Sequence, residues 1–281
     1  MREIFLKTAG FVLRFANFRF YYRVCSFFVK RLEGEQLVVF DSFQIQFDKS
    51  DPYWSQLISK FYRYESDIEN WLRKECSPDV FFIDCGANIG YWSIFVSKVL
   101  KVRNFIAVEP NPHIFELLME NLKINNLPCS AIQAAIGEVS QENSTVNLYL
   151  NSSPGNHVGA SIYKENTSYS EIIEVPVVQF SELIEPAIKA NQNVILKLDV
   201  EGAERSIIKL IPKSIKNRIR IIYEDHGRDR DCLTTKLILS LNVYKIYFLS
   251  SVGSIEIKNI EDLVALKRSK KKGYNLVAIP I

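Results

Sequence analysis

The chain of 281 residues has no long uncharged apolar run, no CxxC pair and little net charge, and each absence removes a class of protein. A transmembrane helix needs about 20 largely uncharged apolar residues. The nearest candidate, residues 4–29, is rich in Phe and Tyr but is interrupted by Arg14, Arg19 and Arg23. No secretory signal is read there. The five cysteines, Cys25, Cys76, Cys85, Cys129 and Cys232, are odd in number and lack metal-type spacing. They read as reduced thiols of a cytosolic protein, with neither a disulfide framework nor a zinc site. A net charge of +3 is too small to imply nucleic-acid binding. Internal repeats and low-complexity segments are also missing.

What is present is ordinary globular material, with 47% hydrophobic and 24% charged residues, so a folded core is expected. The charge is uneven. Residues 1–32 carry seven Lys or Arg against Glu3 alone, a net +6, which leaves −3 for the remainder. Residues 1–34 are expected to form a basic, aromatic helical extension. Two readings stand for it: packing on the protein body or a partner, or contact with an anionic membrane surface. Residues 35–281 are expected to form one domain, with a hairpin and helices over 35–79 and the core over 80–281. Location is expected to be cytoplasmic, with a peripheral association at the inner face of the membrane as the finer reading.

Hydrophobic patterning predicts a strand pair at Leu37–Phe40 and Phe43–Phe47, then helices over 52–75. From residue 80 strands and helices alternate. Strands are expected at Val80–Asp84, Phe105–Glu109, Ala131–Ile136, Thr145–Leu150, Ile172–Val178, Val194–Leu198 and Arg220–Glu224. Three more follow at Tyr244–Leu249, Ser254–Lys258 and Asn275–Pro280. Helices are expected from about Asn88, Pro112, Ser181, Ala203 and Asp231. This order gives an α/β fold with a mostly parallel sheet, helices on both faces and an antiparallel edge.

Two strand ends carry the chemistry. Val80–Asp84 runs into Cys85-Gly86-Ala87-Asn88-Ile89-Gly90, a glycine turn that opens a helix whose N–H groups face a ligand. Some 25 residues on, Phe105–Val108 ends on Glu109, placed to accept hydrogen bonds from a ribose diol. A dinucleotide fingerprint would put glycine where Asp84 stands. A carboxylate repels a pyrophosphate and attracts an ammonium or sulfonium, so the sign of the charge favours S-adenosylmethionine over a nicotinamide cofactor. Cys85 reads as a small side chain in a tight turn.

A third junction is Lys197-Leu198-Asp199-Val200-Glu201-Gly202-Ala203-Glu204, and a fourth is Tyr223-Glu224-Asp225-His226-Gly227. Asp199, Glu224 and His226 are expected at one edge of the sheet. They could hold a hard divalent ion such as Mg²⁺, or orient and deprotonate an acceptor hydroxyl. His226 could equally be a solvent-exposed loop residue, and Glu204 a helix cap. The polar loop Asn151–Ser170, with His157, is the candidate cover for the site. The run Lys267-Arg268-Ser269-Lys270-Lys271-Lys272 reads as a solvated loop, with phosphate or acidic-acceptor binding as the other reading.

Taken together, Tyr64-Glu65, Ile83–Gly90, Val108–Pro112, Ala134–Gly137 and Lys197–Glu204 resemble the FkbM family of S-adenosylmethionine-dependent methyltransferases. The resemblance covers roughly residues 50–225 and is most specific at Asp199–Glu204. It implies a class I methyltransferase fold, a Rossmann-like sheet of seven strands, and O-methylation of a hydroxyl on a sugar, glycolipid, polysaccharide or polyketide-like molecule. By analogy Asp84, Gly86, Asn88 and Gly90 would hold the methionine part, Glu109 the ribose and Ala135 the adenine. Glu65, Ala87, Ser93 and Pro110 complete the implied cofactor set, and Asp199 would lie between cofactor and acceptor. Asp199 is the first candidate for removing the acceptor proton, with Glu224 and His226 behind it. The competing classes are an NAD-dependent enzyme, a non-catalytic binding protein on the same fold, and a nucleic-acid methyltransferase. Asp84 disfavours the first and the acidic junctions disfavour the second. The third lacks an Asn/Asp-Pro-Pro-aromatic motif after Val194–Leu198, so no nucleic-acid partner is expected.

Overall fold

The computed structural model describes residues 34–51, 53–58, 62–137, 144–151, 161–162, 169–270 and 272–281. The expected helix at 1–32 and the loop around His157 lie outside the described residues. Among the described residues no helix is long and apolar enough to cross a membrane.

Strands β1 (Glu35–Val39) and β2 (Gln44–Asp48) form the antiparallel hairpin expected from their alternation. Ile45 and Phe47 face inward and are fully buried. A 3-10 turn over Trp54–Ile58 and helix α1 (Ser66–Glu75) follow. The core then runs β3 (Phe81–Cys85), α2 (Tyr91–Lys98), β4 (Asn104–Val108), α3 (Pro112–Ile124), β5 (Ala131–Ile132), β6 (Ala135–Gly137), β7 (Thr145–Asn151) and β8 (Tyr169–Gln179). It continues with α4 (Phe180–Lys189), β9 (Val194–Leu198), α5 (Glu204–Leu210), β10 (Ile219–His226) and α6 (Leu233–Ser240). The closing elements are β11 (Tyr244–Ser250), β12 (Gly253–Ile257), α7 (Ile260–Leu266) and β13 (Gly273–Pro280).

The main sheet has the order β12-β11-β13-β10-β9-β3-β4-β5. The five strands from β10 to β5 are parallel, and β13, β11 and β12 add an antiparallel edge. This is the expected class I architecture with eight strands instead of seven, since the hairpin strand β12 extends the edge. Strands β3 and β9 are buried at every position, as strands covered on both faces must be. One core joins the hairpin, α1, α2 and α3 on one face. The other joins α4, α5 and α6 on the opposite face.

Three expectations change. Ala131–Ile136 is two strands, because only Ala131 and Ile132 pair with β4 while Ala135–Gly137 crosses to β8 in a separate three-stranded sheet. Helix α6 begins at Leu233, where the Asp229 side chain accepts from the Leu233 N–H (2.8 Å). Helix α7 was not expected. It is short, and its start is fixed by a capping box between Asn259 and Asp262.

The hairpin is fastened by two asparagines one helical turn apart, Asn121 on α3 and Asn125 at its C-terminal cap. Asn125 exchanges hydrogen bonds with the Gln44 backbone (2.8 and 2.7 Å), and Asn121 does the same with Gln46 (2.7 and 2.9 Å). The outer edge of β2 is thereby closed to other strands.

The chain turns back at the switch point between β3 and β9, where α/β sheets bind ligands. Gly86 makes the approach there possible. Its φ is +75°, and a Cβ would overlap the Asp199 carbonyl. The glycine is therefore demanded by the neighbouring strand as well as by the turn. Gly86→Ala is expected to cost about 3 kcal/mol, combining overpacking with backbone strain. A denaturant midpoint unchanged from the parent would refute this.

Candidate active site

Strand register brings the acidic junctions into rows. Asp84 on β3 lies opposite Lys197 on β9, which lies opposite Ile222 on β10. Two residues on, Asp199 and Glu224 come level on the same face, because side chains of one strand face repeat every second residue. Glu224 is opposite Asn275 of β13, and His226 opposite Gly273.

Lys197 is the centre of this arrangement. It stands fourth in the strand Val-Ile-Leu-Lys-Leu and is almost wholly buried. Its ammonium is 3.0 Å from Asp199 Oδ2 and 3.8 Å from Asp84 Oδ1. Burial alone would pull its pKa down, but the carboxylates of Asp199, Asp84 and Glu65 reverse the effect and raise it. The Asp199 side chain remains 34% exposed, so it is anchored from below and open from above. Its second oxygen makes no hydrogen bond among the described residues.

A cleft of about 920 Å³, counted with its open mouth, lies over these groups. Gly86, Ala87, Asn88, Glu109, Pro110, Ala135 and Asp199 line it. Glu109 accepts from the N–H groups of Asn88 and Asn111, both at 2.9 Å. Ala134, Ala135, Ile136 and Leu148 supply an apolar wall. The aromatic wall was not expected: Tyr53, Trp54, Tyr64, Tyr91 and Trp92 pack together along the cleft. Trp54 Nε1 donates to Asn88 Oδ1 (3.0 Å), and Trp92 Nε1 to Glu65 Oε2 (2.8 Å). Glu65 is held at φ 37° at the start of α1, which aims it toward Lys197. Ile162 also lines the cleft, and Ser161 Oγ donates to the Glu201 carbonyl (2.8 Å).

Several expected roles change. Asp84 is fully buried and does not line the cleft. Its Oδ2 accepts from the Ser93 N–H (3.1 Å) and Oγ (2.8 Å), so the pair holds the first turn of α2. Gly90 is also outside the lining, and a Cβ there would strike Leu118 of α3. Glu204 accepts from the Val200 and Gly202 N–H groups, both at 3.2 Å, and so braces the turn that leads into α5. The divalent-ion set is not assembled. Among the described residues no three His, Cys, Asp or Glu side chains come together as ligands, and the Lys197 ammonium already pairs with Asp199. Glu224 and His226 stand beside the cleft, not in its lining, with Oε1 and Nδ1 3.6 Å apart.

Burial pushes Glu65 and Glu109 up to about 7 and Glu224 up to about 9, the last also repelled by Asp199, Glu65 and Glu201. Unfolded glutamates ionise near 4.5, so the folded protein holds these protons longer. Stability is fully present below that value and falls as pH rises, through about 7 for Glu65 and Glu109 and about 9 for Glu224. The slope is at most about 1.4 kcal/mol per pH unit for each group within its window. The ligand-free protein should therefore melt lower at about pH 8 than at about pH 5, and Glu109→Gln should flatten the dependence. A flat profile in the parent would contradict the buried-carboxyl reading.

A family model described as the methyltransferase FkbM domain matches residues 84–247. The chain belongs to this family. It is a methyltransferase on a class I fold. Methyltransferase sdnD of Sordaria araneosa is 25% identical over 191 residues, covering 53% of this chain and 73% of that protein. Hexuronic acid methyltransferase AglP of Haloferax volcanii is 27% identical over 188 residues, covering 66% and 73%. The crystal structure of methyltransferase FkbM from Methylobacillus flagellatus superposes with a TM-score of 0.43 at 15% identity. That match covers 72% of this chain and less than half, 44%, of the other.

Proposed function

We propose that the enzyme transfers a methyl group from S-adenosylmethionine to a hydroxyl of a sugar, glycolipid or polysaccharide. The observation that carries this is Asp199, anchored by Lys197 and presenting a free carboxylate oxygen in the cleft that also holds Glu109. The relative named as a hexuronic acid methyltransferase supports a sugar acceptor.

The cleft fits the methyl donor in three respects. Glu109 keeps lone pairs beyond its two backbone hydrogen bonds to accept from a ribose diol. The Ala134–Ile136 wall suits a flat base. The aromatic faces with nearby carboxylates favour a cation. Bound S-adenosylmethionine would supply an electrophilic methyl group on a sulfonium. The chain's own work is to align the acceptor and to take its proton. Alignment of two bound reactants can lower a barrier by roughly 7–11 kcal/mol in favourable cases. Asp199 is the acceptor for the hydroxyl proton. Glu224, protonated at neutral pH in the ligand-free protein, would act there as a hydrogen-bond donor to the acceptor until it ionises. For the basic segment 1–32 two readings remain, packing on the protein body or a partner and contact with an anionic membrane surface.

Calorimetry with S-adenosylhomocysteine and with NAD tests the donor, and labelled S-adenosylmethionine incubated with lipid and polysaccharide extracts tests the acceptor. We expect S-adenosylhomocysteine alone to bind and label to enter a glycan-containing fraction. Absence of S-adenosylhomocysteine binding, or label confined to glycan-free fractions, overturns the assignment.

A further inference from the structure

The basic run at 267–272 is not the uniform solvated loop that its composition describes. Lys267 is completely buried. Its ammonium pairs with Asp225 and donates to the carbonyls of His226 (2.9 Å) and Asp229 (2.8 Å). Asp225 is held from its other side by Thr235 (2.7 Å), whose hydroxyl meets that of Tyr223 (3.0 Å). A lysine out of water is tolerated only when paired and hydrogen-bonded in this way. It fastens the loop before β13 to the loop after β10. The Gly227 N–H donates to the Lys272 carbonyl (2.8 Å), and a Cβ on Gly227 would strike the Ser269 carbonyl. The two loops therefore run in backbone contact.

The clamp leaves Arg228, Arg230, Arg268, Lys270 and Lys272 exposed on these two joined loops. None of the five forms an ion pair among the described residues. The acidic residues of these loops are otherwise engaged. Asp229 accepts from the N–H groups of Asp231 (3.0 Å) and Leu233 (2.8 Å), and Asp231 faces Lys236 (4.0 Å). Unneutralised like charges on anchored backbone repel one another, and an anion relieves the repulsion.

This rim adjoins the active-site edge. His226 and Gly273 are register partners, and a Cβ on Gly273 would fall on the Glu224 carboxylate. Glu224 is level with Asp199, one strand away. Three strand residues at about 3.3 Å each place the rim roughly 10 Å beyond Glu224. Inside that distance the surroundings are acidic, since Asp199, Glu65 and Glu201 all act on Glu224.

We propose that the rim binds a phosphate carried by the acceptor, so that the substrate is a hydroxyl compound with a phosphate monoester or diester about 10 Å from the methylated oxygen. This rests on the hydroxyl-methylation reading above. The open Asp199 carboxylate disfavours a phosphate in the cleft while the guanidinium and ammonium groups hold it outside, which favours the orientation with the hydroxyl inward. Arginine forks match phosphate oxygens in pairs, and lysines add point charge.

The test is titration of the full chain, preloaded with S-adenosylhomocysteine, with inorganic phosphate, glucose 1-phosphate, glucuronate and glucose. It is paired with sedimentation on phosphatidylcholine vesicles with and without phosphatidylglycerol. The variant is Arg228→Glu/Lys270→Glu/Lys272→Glu, whose side chains are exposed and lie outside the cleft. We expect the two soluble phosphates to bind, glucose not to, and the variant to bind phosphate about tenfold more weakly or worse while holding S-adenosylhomocysteine normally. Phosphatidylglycerol-dependent sedimentation that the variant loses, without soluble phosphate binding, supports the same rim and assigns the phosphate to a lipid headgroup. Glucuronate binding as tightly as glucose 1-phosphate overturns the phosphate assignment. So does a variant that binds phosphate and vesicles like the parent. Loss of S-adenosylhomocysteine binding in the parent would strike at methyl transfer instead, with the phosphate titration still readable.

Discussion

Asp199→Asn is expected to lower the rate of methyl transfer by about 10²- to 10⁴-fold, the range over which a positioned acid or base acts. The side chain is isosteric, so the backbone contact between Asp199 and the Gly86 turn should survive. The Asp199 N–H still donates to the Cys85 carbonyl (3.0 Å), and that bond does not involve the side chain. Lys197 keeps Asp84 as a counter-charge (3.8 Å). S-adenosylhomocysteine affinity should therefore change much less than turnover, because Glu109 and the apolar wall are untouched. The comparison that decides is single-turnover rate against calorimetric affinity on the same preparation. A variant with full turnover removes Asp199 as the proton acceptor. Equal losses in rate and affinity would make it a binding group instead. Glu224→Gln provides the control: since Glu224 already holds its proton near neutral pH, its replacement should matter most above about pH 9.

Much of the fold could be read from strand patterning because the parallel strands are covered on both faces and have nearly continuous apolar composition. Val194–Leu198 has the expected bounds, and Pro112–Ile124 starts at its proline, as a first-turn proline favours. The junctions were legible for the same reason: a carboxylate ending an apolar run stands out. Their direction was not. Asp84 and Asp199 look alike in sequence, yet one turns under α2 to Ser93 and the other stays open to the cleft. Only register with the neighbouring strand separates them. Lys197 did carry a signal, since a lone charge inside a buried strand requires partners. The aromatic wall carried none, because Tyr53, Trp54, Tyr64, Tyr91 and Trp92 come from three segments and meet only in the fold. The same holds for Lys267, whose neighbours in sequence are solvated and whose burial depends on Asp225.

Lys197→Met should be the most destabilising single change in the site. Methionine nearly matches the volume, so packing is conserved and the loss is electrostatic. Asp84 would then be a fully buried carboxylate that has lost the Lys197 cation, with Asp199 adding repulsion. Removing one partner of a buried pair costs about 3–5 kcal/mol. For a chain of this size that corresponds to a fall in melting temperature on the order of 10 °C. The defect has a required pH dependence. Burial already raises the Asp84 pKa and Lys197 opposes that rise, so its removal pushes the pKa further up. Below the raised value the carboxyl is neutral and nothing unpaired remains. Above it the buried charge is exposed to its full penalty. The variant should thus lie nearer the parent's stability at low pH and fall away from it as the pH rises through the raised Asp84 value. Adding Asp84→Asn removes the charge that Lys197 neutralises, and the double variant should recover part of the loss, a coupling a mutant cycle measures directly. A Lys197→Met defect that is constant across this range, or that Asp84→Asn deepens additively, would mean that the lysine serves packing and not the carboxylates around it.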